Sequence, residues 1–69
     1  MKKELQDYKG AIADFTKVIE INPTFAAAYY NRGISEYEIG QTDSGCLDLK
    51  KAGELGCHKA FEIIKEYCK

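Results

Sequence analysis

The sequence predicts an all-α fold built from antiparallel helix-turn-helix repeats, about four helices in one small domain. Three observations carry this. Apolar residues recur at helical spacing in four separate stretches. Turn formers, Asn22-Pro23, Gly40 and Gly56, stand between those stretches. And the chain repeats itself at a shift of 34 residues: Ala11, Ile12, Asp14 and Phe15 fall on Gly45, Cys46, Asp48 and Leu49, and Lys17, Val18, Glu20 and Ile21 on Lys51, Ala52, Glu54 and Leu55. Small falls on small, apolar on apolar, and the three charges keep their sign. A period of this length marks a helical hairpin that cannot bury its own apolar face and needs a neighbour to do so.

In chain order, Met1 to Gln6 is short and charged and reads as the stub of a preceding helix, since it aligns with Ser35 to Gly40. Asp7 to Ile21 is the first full helix. Asp7 is placed to cap it, and Tyr8, Ala11, Ile12, Phe15, Val18 and Ile19 form its apolar face. Pro23 lacks an N–H and drives Asn22 out of helical angles, so the helix stops there. Thr24 to Ile39 is the second helix, with Thr24 as its expected cap. Gly33 in its interior costs about 1 kcal/mol relative to Ala, which points to a close neighbour at that position. Gly40 ends it. Thr42 to Leu55 is the third helix, capped by Thr42 or Asp43, with Cys46, Leu47, Leu49, Ala52 and Leu55 as its apolar side and Gly56 after it. The repeat would place a proline at position 57, where the chain has Cys57. The last helix, His58 to Lys69, sets Ala60, Phe61, Ile64, Tyr67 and Cys68 on one side and Lys59, Glu62, Lys65, Glu66 and Lys69 on the other. It reads as the atypical end element that covers the final face of such an array.

These residues resemble the tetratricopeptide repeat family. Tyr8, Ala11, Phe15, Val18 and Pro23 fall where the family has its second-helix aromatic, small, aromatic, small and proline residues, and Tyr29 and Gly33 where it has its first-helix aromatic and packing glycine. Arg32 stands where a Leu is expected, and Gly45 and Leu49 where an Ala and an aromatic are expected. The resemblance covers Leu5 to Leu55. It implies a segment of right-handed α-superhelix: 7–22 as the second helix of a truncated repeat, 24–56 as a full repeat and 57–69 as a capping helix. The capping reading places the chain's natural end near Lys69, and the truncated first repeat means either that the chain is a fragment of a longer protein or that something else replaces the missing helix.

Composition narrows the function. A formal charge of −1 with interspersed signs offers no field for nucleic acid or an anionic membrane. No apolar run approaches the roughly 18 residues of a membrane span. The lysines at the start are not followed by the apolar stretch of a signal peptide, so a cytoplasmic protein is expected. Hydrophobic residues at 45% and charged at 30% describe a folded domain and not a disordered one. No catalytic, metal or cofactor constellation is found. Cys57, His58 and Glu62 lie close in sequence but without metal-like spacing, and Asp14, Asp43 and Asp48 read as solvated helix charges. Cys46, Cys57 and Cys68 are an odd number. Cys46 reads as a small core residue, and Cys57 and Cys68, if on one helix, stand roughly 16 Å apart, too far to bridge. Reduced thiols are therefore expected, and a redox role for Cys57 and Cys68 is a remote alternative.

Protein–protein interaction is the favoured function. By resemblance, the first helix of a repeat lines a concave groove for a peptide or partner helix, which here presents Ala27, Tyr30, Asn31, Ile34, Tyr37 and Glu38. Asn31 matches the asparagine with which some relatives hold a peptide's C-terminal carboxylate. Tyr30 and Ile34 stand where that clamp needs a basic residue and a second asparagine, so the clamp is not expected. Two other readings compete: a purely structural end-piece, and a homodimer, with or without a helix swap, through the uncovered face of Tyr8, Ile12, Phe15 and Ile19.

Overall fold

A computed structural model describes residues 7–68. It consists of four helices, α1 (Tyr8–Ile21), α2 (Ala26–Glu38), α3 (Thr42–Glu54) and α4 (His58–Tyr67), with no strand among the described residues. The all-α expectation is met. The stub predicted over residues 1–6 lies outside the described residues. Connections are residues 22–25, 39–41 and 55–57, short enough that each helix turns back on the one before it. The smallest dimension, 18 Å, is about two helix diameters, so the helices form two layers.

Local chemistry sets the ends. The Asp7 side chain accepts from the Gly10 N–H at 3.2 Å, capping α1 as expected. Gly40 and Gly56 adopt φ of 93° and 110°, the left-handed region in which L side chains are strained, and so turn the chain out of α2 and α3. Two expected caps are not formed. Helix α2 begins one residue after Phe25, which has no capping side chain, while Thr24 donates its hydroxyl to Asn22 Oδ1 and so stays in the turn. Helix α3 has Gln41 at its N-cap, again without a side-chain bond. Thr42 and Asp43 lie inside its first turn, where the Asp43 charge favours the helix dipole.

The core is small. Leu49, Ala52 and Ala60 are fully buried and contiguous, with Tyr29, Tyr30, Ile34, Cys57, Ile63 and Ile64 packed around them. The buried stripe of α3 runs Gly45, Asp48, Leu49, Ala52, Gly53, an i, i+3, i+4 repeat. Leu47 is two residues from Leu49, roughly 200° around the helix. It is 65% exposed, which corrects its assignment to the apolar side. Asp48 falls within the stripe, so the reading of it as a solvated charge is also overturned; Asp14 and Asp43 are exposed. On α4, Ala60, Ile63 and Ile64 face inward, while Phe61 and Tyr67 sit at the margin.

Helices α2 and α3 meet through glycine. A Cβ on Gly33 would lie 2.8 Å from the Gly45 carbonyl oxygen, and one on Gly45 would lie 2.6 Å from that of Gly33. Both positions are filled by backbone, which explains the interior Gly33. Helices α3 and α4 are joined differently. Cys46 and Cys68 form a disulfide across a Cα–Cα distance of 5.9 Å, leaving Cys57 as the free thiol. The expected set of unpaired thiols, with Cys46 as a plain core residue, is corrected by this bond. Sequence spacing excluded Cys57–Cys68, and those two residues do lie at opposite ends of α4. Spacing within one helix carries no information on how α3 crosses the end of α4.

Candidate partner-binding cleft

Helix α2 supplies one wall of a cleft of about 180 Å³ with Ile34, Tyr37 and Glu38; α4 supplies the other with Ile63 and Tyr67; Leu49 of α3 is the floor. Helical spacing brings Ile34, Tyr37 and Glu38 to one side of α2. The Tyr37 and Tyr67 rings meet edge to face with centroids 5.5 Å apart, the arrangement that ring quadrupoles favour. Tyr67 is 57% exposed, so this pair presents an aromatic rim to solvent.

Of the six residues predicted for the groove, Ile34, Tyr37 and Glu38 line this cleft. Tyr30 packs against the buried cluster, and Ala27 and Asn31 are exposed further along α2. Sequence reasoning missed Leu49, Ile63 and Tyr67. The apolar pattern of α4 contained the signal for Tyr67 but not the neighbour it would face. Tyr8, Ile12, Phe15 and Ile19 are half-buried on α1, a helix with no fully buried residue.

Beneath the α2 wall lies a polar network that the sequence did not disclose. Arg32 donates from Nε to Asp48 Oδ2 at 2.8 Å and from Nη2 to Asp48 Oδ1 at 2.9 Å, a two-pronged pair between α2 and α3. Its Nη1 donates to Thr16 Oγ1 at 3.1 Å, and Thr16 in turn donates to the Ile12 carbonyl at 2.7 Å, which brings α1 into the same network. The guanidinium carbon also stands 5.7 Å from the Tyr29 ring centroid. The hydrogen bond to Asp48, opposed by burial, raises the Arg32 pKa further, so its charge is permanent. Glu36 is less well served. Its Oε2 lies 3.8 Å from Arg32 Nε, and its buried Oε1 has no hydrogen-bond partner. Burial first, and then the Asp48 carboxylate, push Glu36 up to about 7, against the pull of Arg32. A proton on Glu36 is what would let two facing carboxyl groups share a hydrogen bond. The network fixes how the three helices sit and thereby holds the α2 wall in place.

No cluster of three or more His, Cys, Asp or Glu among the described residues could hold a metal, and none of their helices is long and apolar enough to cross a membrane. His58 is exposed in the first turn of α4.

Successive helical hairpins with a glycine contact between them define a fold of the α-repeat class. Comparison with known proteins agrees. The family model described as TPR repeat matches residues 1–40, more than half of the chain, and the chain belongs to the tetratricopeptide repeat family. Over 50 residues, 72% of its length, it is 38% identical to Small glutamine-rich tetratricopeptide repeat-containing protein 2 of Mycosarcoma maydis. It spans 14% of that relative. No solved structure matches the chain significantly. Repeats of this family generally mediate protein–protein interaction.

Proposed function

We propose that the chain is a scaffold segment whose α2–α4 cleft receives a bulky apolar side chain from a partner peptide or helix. The observation that carries this is the cleft itself: an apolar floor at Leu49, an aromatic rim at Tyr37 and Tyr67, and a single charge, Glu38, at its edge. Aromatic rims around a desolvated pocket are where binding energy concentrates. Selection from a random peptide display library tests it. Selected peptides are expected to share one large apolar anchor and to bind Tyr37→Ala about tenfold or more weakly, a loss of roughly 1.4 kcal/mol. Selection of no peptide, or equal binding by the variant, would overturn the cleft.

Self-association through α1 is a second reading, supported by the incomplete burial of its apolar face. Tyr8, Ile12, Phe15 and Ile19 share one side of that helix and each is only half-buried. Sedimentation of a 7.8 kDa species at all accessible concentrations would end that reading.

A further inference from the structure

We propose that Cys46–Cys68 is a thiol-exchange site whose state decides whether α4 stands as the second wall of the cleft. Helix α4 has 10 residues, fewer than the roughly 12–15 at which an isolated helix begins to persist in water, so it depends on its attachments. Ala60, near its start, is its one fully buried residue among those described. Towards its end, Ile63 and Ile64 are half-buried and Tyr67 is more exposed than covered. The crosslink therefore acts where packing is weakest. It grips Cys68, the residue next to Tyr67, and anchors it to the first half of α3. The position of the Tyr67 ring against Tyr37 follows from that anchor.

The bond is also reachable. Both cysteines are half-buried, and both line a shallow open depression of about 600 Å³ on the outer side of α3 and α4, beside the exposed Leu47. A low-molecular-weight thiol of the glutathione type fits such an approach. Its thiolate attacks one sulfur, the S–S bond breaks, and the departing cysteine sulfur takes up a proton. A second thiolate then attacks the mixed disulfide and frees the other cysteine. Two small thiols are oxidised to one small disulfide, and Cys46 and Cys68 are reduced to two thiols. Cys57 takes no part, because it caps the opposite end of α4, roughly 16 Å away along the helix.

The consequence for partner capture rests on the cleft reading, but the latch is measured without a partner. Whole protein is equilibrated with oxidised or reduced glutathione, its free thiols are alkylated and counted by mass, and amide hydrogen exchange is followed in each state. Oxidised protein is expected to show one free thiol, Cys57, and reduced protein three. Reduction is expected to speed exchange across residues 61–68 about tenfold or more while α1, α2 and α3 keep their protection. Cys68→Ser is expected to reproduce the reduced pattern without reductant. Three free thiols in excess oxidised glutathione would overturn the proposal. So would unchanged exchange in α4, or loss of protection in all four helices together, which would make the bond a staple for the whole fold. A display-selected peptide that binds neither state would count against the cleft, and the exchange result would still decide the latch.

Discussion

Arg32 shows how much one side chain can decide in a chain of 69 residues. It holds Asp48 with two bonds and reaches Thr16 with a third, so removing it leaves the buried Asp48 and Glu36 carboxylates without a counter-charge. Arg32→Leu, which supplies the residue the family has at this position, is expected to cost about 3 kcal/mol by urea unfolding. Arg32→Leu with Asp48→Leu is expected to cost much less than the sum of the two single changes, because buried ion pairs are sensitive to losing one partner and tolerant of losing both. Glu36 gives the network a pH dependence. Its folded-state value, about 7, lies above its ordinary 4.5, so the folded protein holds that proton more tightly than the unfolded chain does. The stability this contributes is complete below the ordinary value and disappears as the pH rises through about 7. Thermal unfolding of Glu36→Gln is expected to match the parent near about pH 4 and to exceed it near about pH 8. The sequence marked Arg32 as a departure and Asp48 as a repeated charge, yet not that they meet. Their pairing lies across two helices, 16 residues apart, and no local spacing encodes it.

At the scale of the helices, glycine at two interfaces has opposite meanings. At Gly33 the obstacle to a side chain is the backbone oxygen of Gly45, which cannot move aside. Gly33→Ala is therefore expected to destabilise by about 1–3 kcal/mol, despite a gain of about 1 kcal/mol in helix propensity. At Gly53 the obstacle is the outer edge of the Phe61 ring, 2.6 Å from the added Cβ, on a side chain 45% exposed and free to turn outward. Gly53→Ala is expected to fall within about 0.5 kcal/mol of neutral or to stabilise, as propensity offsets the displaced ring. Guanidinium unfolding curves of the two variants separate these outcomes. The helices themselves were legible, since their apolar periods and their Pro and Gly stops act within one element. Asp7 was legible as a cap for the same reason. Thr24 was not, because its hydroxyl had a nearer partner in Asn22. Gly33 announced a close approach, but only the structure shows that Gly45 is its counterpart.

For the molecule as a whole, the proportions of the core govern the rest. A domain this small is expected to hold only about 3–10 kcal/mol of stability. The Cys46–Cys68 crosslink joins positions 22 residues apart and ties the end of α4 to α3. Leu49 is the one large side chain among the described residues that is fully buried, and Leu49→Ala is expected to cost about 2–5 kcal/mol. Urea unfolding followed by circular dichroism checks that figure. Leu49 is also the floor of the cleft. On the proposed cleft reading, reshaping this floor would forfeit the fold before gaining a new ligand. If the cleft is the binding site, divergence in taste is confined to the five flanking side chains, Ile34, Tyr37, Glu38, Ile63 and Tyr67, and the bottom of the pocket must stay as it is.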